Sequence, residues 1–115
     1  MYGTISRMRA KPGMEGQLIQ HLHDFEAAHV PGTVAVSCSR MDADPQEYYV
    51  TVIFESREAY RANAESAEQD KRYRQMLSLL ESEPEWHDGE VIYTLNQALF
   101  SAMKGSTVQS ERSLL

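Results

Sequence analysis

Apolar and polar positions along the chain change period several times, and each change marks an element. From Tyr2 to Arg9 they read as a strand, which Lys11-Pro12-Gly13 ends with Pro and Gly in favoured turn positions. From Met14 the spacing becomes helical, with Met14, Leu18, Leu22, Phe25 and Ala28 on one arc at about 100° per residue. Val30-Pro31-Gly32 stops that helix. Thr33 to Met41 reads as a second strand, Asp42 to Gln46 as a turn cluster, and Tyr48 to Phe54, β-branched and aromatic, as the clearest strand. The short spacer predicts an antiparallel hairpin. Helical spacing then returns. Ser56 is placed to cap a short helix through Tyr60 to Ala64, and Ser66 with Gln69 matches a capping box that restarts the helix after a kink. Tyr73, Met76, Leu77 and Leu80 form its buried stripe, Pro84 closes it, and Val91 to Leu95 reads as the last strand.

The order β-α-β-β-α-β predicts an α+β, ferredoxin-like fold with helices on one face of a four-stranded antiparallel sheet. Residues 1–95 form this domain. Residues 96–115 are expected to be a C-terminal extension, partly helical around Ala98 to Met103 and then Ser-rich and mobile or docked on a partner. Both alternating faces of Tyr48 to Phe54 are largely apolar, yet helices cover only one. The other face predicts a homodimer.

Composition narrows the function classes. A length of 115 residues allows one core, and a net charge of −6 argues against nucleic acid as a partner. No apolar run approaches the roughly 18 residues of a membrane span, so no membrane partner is expected. The opening Met1 to Arg7 lacks a basic-then-apolar leader pattern. A single cysteine, Cys38, excludes an intrachain disulfide and suggests a reducing, cytoplasmic location.

Candidate chemistry starts with the histidines. His21 and His29 share the apolar arc of the first helix, whereas His23 points away. Each reads first as a bonded boundary histidine. His29 is preferred as pocket-lining, because helix ends approach a pocket mouth and the helix dipole there favours a charged imidazole. About 12 Å of helix separates the two, too far to share a metal ion. Tyr60 and Tyr73 read as core aromatics with hydroxyls at the rim, and Asn63 as a cap or solvated residue. The only tryptophan stands in Glu83-Pro84-Glu85-Trp86-His87-Asp88-Gly89-Glu90, either a folding corner or an active-site edge. The corner is preferred, with Trp86 capping the core and His87 free to bond a partner chain or a substrate.

Three of these stretches carry a resemblance. Lys11-Pro12-Gly13, Phe54-Glu55-Ser56-Arg57-Glu58-Ala59-Tyr60 and Trp86-His87-Asp88-Gly89-Glu90 resemble the antibiotic biosynthesis monooxygenase family of the dimeric α+β barrel group. The resemblance implies a pocket between the sheet and the helices of one subunit. The heme-degrading branch is disfavoured: the first strand offers no Asn, no His occurs between Tyr60 and Glu85, and Trp86 lies too late. The quinone-forming branch implies a cofactor-independent monooxygenase acting on a hydrophobic aromatic or polyketide-like molecule. In that reading Asn63, Tyr73 and His29 are the catalytic candidates. Tyr60, His21, Phe25, Met76, Trp86 and His87 are the substrate-binding candidates, with no metal and no cofactor. A non-catalytic binding or assembly dimer of the same fold is the alternative.

Overall fold

One central strand organises the molecule, which the computed structural model describes over residues 1–95. Strand β1 (Tyr2–Arg9) lies between β3 (Glu47–Phe54) and β4 (Glu85–Glu90), with β2 (Thr33–Arg40) beyond β3. The sheet order is β2-β3-β1-β4 and every neighbouring pair is antiparallel. Helices α1 (Glu15–Ala27), α2 (Arg57–Ala64) and α3 (Ala67–Leu77) complete the α+β, ferredoxin-like fold. Strand alternation decides what they cover. Thr4, Ser6, Met8 and Ala10, with Tyr48, Val50 and Phe54, are buried on the inner face. There Met8, Ala10, Tyr48 and Val50 join Leu18 of α1, Met76 of α3 and Leu80 in one core.

Local chemistry sets the helix boundaries. The Ala59 N–H donates to Ser56 Oγ (3.1 Å), and the Gln69 N–H donates to Ser66 Oγ (3.1 Å). Each cap stabilises by about 1 kcal/mol and supports the break between α2 and α3. The Gln69 side chain does not complete the expected capping box and turns instead toward Arg72. Between α1 and β2, Gly32 takes φ 80°, a left-handed conformation that side chains resist. Its carbonyl accepts from the Glu55 N–H (2.8 Å) and ties the hairpin end to this turn.

The last strand departs from expectation. It is Glu85–Glu90, not Val91 to Leu95. Trp86 stands opposite Ser6, His87 opposite Ile5 and Asp88 opposite Thr4. Backbone pairing along the free edge of β1 outweighs the poor strand propensity of Asp, Gly and Glu. The approach is prepared upstream, where Leu80 bridges Ala10 and the Glu81 N–H donates to the Arg9 carbonyl (2.9 Å). Past Glu90 the Val91 N–H still donates to the Met1 carbonyl (2.9 Å), but Ile92, Tyr93 and Leu95 are exposed. The expected extension over 96–115 lies outside the described residues.

The outer face of the sheet carries Ile5 and Tyr49, 48% and 37% exposed, beside an Arg7–Glu47 ion pair. Among the described residues no helix is long and apolar enough to cross a membrane.

Candidate active site

Sheet and helices do not close on each other completely, and a cavity of about 410 Å³ remains between them. Its floor is the inner face of β1 and β3, from Thr4, Ser6 and Met8 to Val50, Val52 and Phe54. His21, Leu22 and Phe25 enter from α1, Tyr60 and Asn63 from α2, and Arg72, Tyr73 and Met76 from α3. Residues three and four apart share a helix face, which explains these groupings. Trp86 and Asp88 complete the wall from β4.

Much of the wall is aromatic. Tyr73 and Trp86 have ring centroids 6.1 Å apart at 48°. Tyr60 meets Phe54 edge-on at 5.6 Å and Tyr2 at 5.2 Å. Trp86 remains 42% exposed, so this part of the wall borders solvent.

A small set of polar groups interrupts this surface. Thr4 is only 5% exposed and its Oγ1 has no hydrogen-bond partner, whereas Ser6 Oγ donates to the Val50 carbonyl (3.3 Å). Buried hydroxyls are rarely left so, and this one is available to a ligand. The Tyr60 hydroxyl donates to Asp88 Oδ2 (2.9 Å). Burial, with that hydrogen bond and the carboxylate charge, pushes the Tyr60 phenol up to about 12, so it stays neutral far into the alkaline range. His21 moves the other way. Burial and the nearby Arg72 charge lower its pKa against the opposing pull of Asp24, so the imidazole is neutral and able to accept a proton.

Arg72 links several of these groups. Its Nη2 donates to Asn63 Oδ1 (3.3 Å), its Nε donates to Gln69 Oε1 (3.1 Å), and its guanidinium carbon lies 5.6 Å from the Phe25 ring centre. A guanidinium can only donate, so Asn63 must present its oxygen to Arg72, and its NH₂ group remains for another acceptor. Both residues stand in the wall between this cavity and a neighbouring one of about 370 Å³.

The cavity brings together Asn63, Tyr73, Tyr60, His21, Phe25, Met76 and Trp86. It does not include His29 or His87. Helix α1 stops at Ala27 and His29 takes φ 49°, which carries its side chain off the helical arc. His29 instead borders a separate groove of about 660 Å³ between α1 and β2. His87 falls on the outward phase of β4 opposite Ile5, with Nε2 2.8 Å from Glu85 Oε1. The preferred corner reading of Trp86 is also corrected: it belongs to β4, next to that strand's first residue, and its inward phase makes it cavity wall. Thr4, Arg72 and Asp88 are functional candidates that the sequence reading passed over. A polar Thr4-Ser6 pair on the buried phase of a central strand was the available signal. Among the described residues, no three His, Cys, Asp or Glu side chains gather as a metal-binding group.

Comparison with known proteins agrees with this architecture. The chain is similar to a protein from Chloroflexus aurantiacus described as a candidate antibiotic biosynthesis monooxygenase, at 24% identity and TM-score 0.69, covering 83% of this chain and 96% of that one. It is similar to SnoaB, a cofactor-independent oxygenase from Streptomyces nogalater, at 14% identity and TM-score 0.71, with the same 83% and 96% coverage. A Deinococcus radiodurans protein of the first description aligns at 14% identity and TM-score 0.70, over 84% and 97%. No curated protein matches. These identities establish a shared fold. The family model for antibiotic biosynthesis monooxygenases matches residues 1–76, well over half of the sequence, and the chain belongs to that family.

Proposed function

We propose that this protein is a cofactor-independent monooxygenase acting on a hydrophobic aromatic or polyketide-like phenol. The observation that carries the reading is the aromatic-walled cavity, with an unpartnered hydroxyl on its floor and a neutral imidazole at its side. Apolar walls with a few convergent polar groups suit a planar, weakly polar ligand and limit the access of water. His21 accepts the proton of the substrate hydroxyl, and the negative charge spreads onto the ring. The activated carbon then gives electrons to dioxygen and forms a carbon–oxygen bond. Loss of water from the resulting hydroperoxide leaves a carbonyl, so one oxygen atom enters the product and the other leaves as water.

The NH₂ group of Asn63, oriented by Arg72, donates to the developing oxyanion or peroxide oxygen. Tyr73 donates to the substrate hydroxyl, and Tyr60 is held by Asp88 as a wall rather than a base. In this reading His21 is the base, and the catalytic candidate His29, which borders the separate groove, has no part in the step. Oxygen uptake with a panel of anthrones and naphthols tests the proposal. A His21→Ala variant should lose about a hundredfold in kcat/KM, as removal of a general base does. No uptake across the panel by folded protein would remove the oxygenase reading and leave a binding dimer.

The exposed Ile5 and Tyr49 support a homodimer that buries the outer sheet face against a second copy. Sedimentation of a monomer at micromolar concentration would refute it. A cytoplasmic location accords with the single cysteine, Cys38.

A further inference from the structure

We propose that Arg72 is an anion subsite of the cavity, and that the ligand is an aromatic or polyketide-like molecule carrying a carboxylate. The inference rests on reading this cavity as the substrate site and names the class of substrate it takes.

Arg72 is half-buried, yet among the described residues all its recorded partners are neutral: the Gln69 amide, the Asn63 amide and the Phe25 ring. Arg40 and Arg57 also contact only neutral groups, tyrosines in both cases, but they are exposed, and the remaining paired arginines differ. Arg7 pairs with Glu47, Arg9 with Asp44 and Glu81, and Arg74 with Asp70. The acidic groups around Arg72 are engaged elsewhere or stand apart. Asp70 lines the cavity but its Oδ2 accepts from Arg74 Nη2 at 3.0 Å. Asp88 accepts from Tyr60, and Asp24 accepts from Gln20 Nε2 at 3.0 Å. Glu55 and Glu68 border the neighbouring cavity, and neither forms an ion pair with Arg72.

A guanidinium withdrawn from water is normally matched by a negative charge. It has five N–H donors, and the two amides take one each. The remaining fork suits a carboxylate, which it can bind through two parallel hydrogen bonds. Phe25 lies beneath the same guanidinium and belongs to the cavity wall. A ring bearing a carboxylate can therefore rest on the aromatic wall while its charge reaches Arg72. The amide of Asn63, held by that same arginine, then faces substituents near the carboxylate.

Isothermal titration calorimetry with 1-hydroxy-2-naphthoate and its neutral partner 1-hydroxy-2-naphthamide tests this directly. The carboxylate should bind at least about tenfold more tightly, the range of a charge-assisted hydrogen bond. Arg72→Gln should erase that preference, so that the two compounds bind within about twofold of each other, and Arg72→Lys should keep part of it. Equal or tighter binding of the amide by the unaltered protein overturns the inference, even if no Arg72 variant folds. So does a preference that survives Arg72→Gln, or a failure of both compounds to bind. Oxygen uptake without carboxylate preference would sink this inference alone. Carboxylate preference without oxygen uptake on any substrate would sink only the oxidation.

Discussion

Replacing Thr4 with valine isolates the buried hydroxyl on the cavity floor. The residue lies on the central strand, opposite Val52 and Asp88, and its Oγ1 has no hydrogen-bond partner. Valine keeps the shape and exchanges the hydroxyl for a methyl group beside another valine. An unmatched buried hydroxyl costs roughly 1–3 kcal/mol, and bordering a cavity favours the lower end of that range. A gain of about 1 kcal/mol raises Tm by roughly 4–8 °C in a domain of this size. Thermal unfolding followed by circular dichroism reads this shift, and oxygen uptake reads the other half of the argument. If the hydroxyl serves a ligand, the stabilised variant should lose up to about tenfold in kcat/KM, the worth of one neutral hydrogen bond. An unchanged or lowered Tm would refute the reasoning, because it would mean that the hydroxyl is satisfied in the folded protein. A raised Tm with unaltered kcat/KM would remove Thr4 from the site.

Gly32→Ala should lower stability by about 1–3 kcal/mol in urea titrations, because φ is +80° and the new Cβ would stand 2.6 Å from Ala59 Cβ. Leu18→Ala, at a fully buried core position, should cost about 2–5 kcal/mol by the same measurement. Tyr60 should titrate near 12 rather than 10.0 when phenolate absorbance is followed, and Asp88→Asn should move it back toward 10.0. Because the folded pKa is the higher one, this contribution is complete below pH 10 and fades as pH rises toward about 12. A steeper loss of stability between pH 10 and about 12 in the unaltered protein than in Asp88→Asn checks the sign.

Most of the fold was legible because its signals are local. The alternation over Tyr2–Arg9, the turn between β2 and β3 and the serines at 56 and 66 all describe short stretches of chain. β4 was not legible, and the cause is instructive. Of the inward residues of that strand, Trp86 and Asp88 line a cavity and none enters the core. A strand with a cavity on its inner face needs no regular apolar alternation. It therefore lacks the pattern by which strands are recognised. Val91 to Leu95 has the more strand-like composition but little of the pairing, with only the Val91 N–H bonded to the first residue of the chain. The same circumstance hid the strand and built the site.

The candidate site divides along similar lines. His21, Phe25, Tyr60, Asn63, Tyr73 and Met76 lie on helix faces whose period is written in the sequence, so their convergence could be anticipated. His29 required the first helix to continue through it, whereas that helix ends at Ala27. Arg72 had no such signal, since an arginine between a lysine and a tyrosine reads as solvated charge. Its meaning comes from contacts that composition does not encode. The Gln69 side chain leaves the capping box to accept from Arg72, and Arg72 in turn donates to an asparagine nine positions earlier. That donation determines which end of the Asn63 amide remains for a ligand. The chemistry proposed for Asn63 therefore depends on Arg72, and a test of either residue has to account for the other.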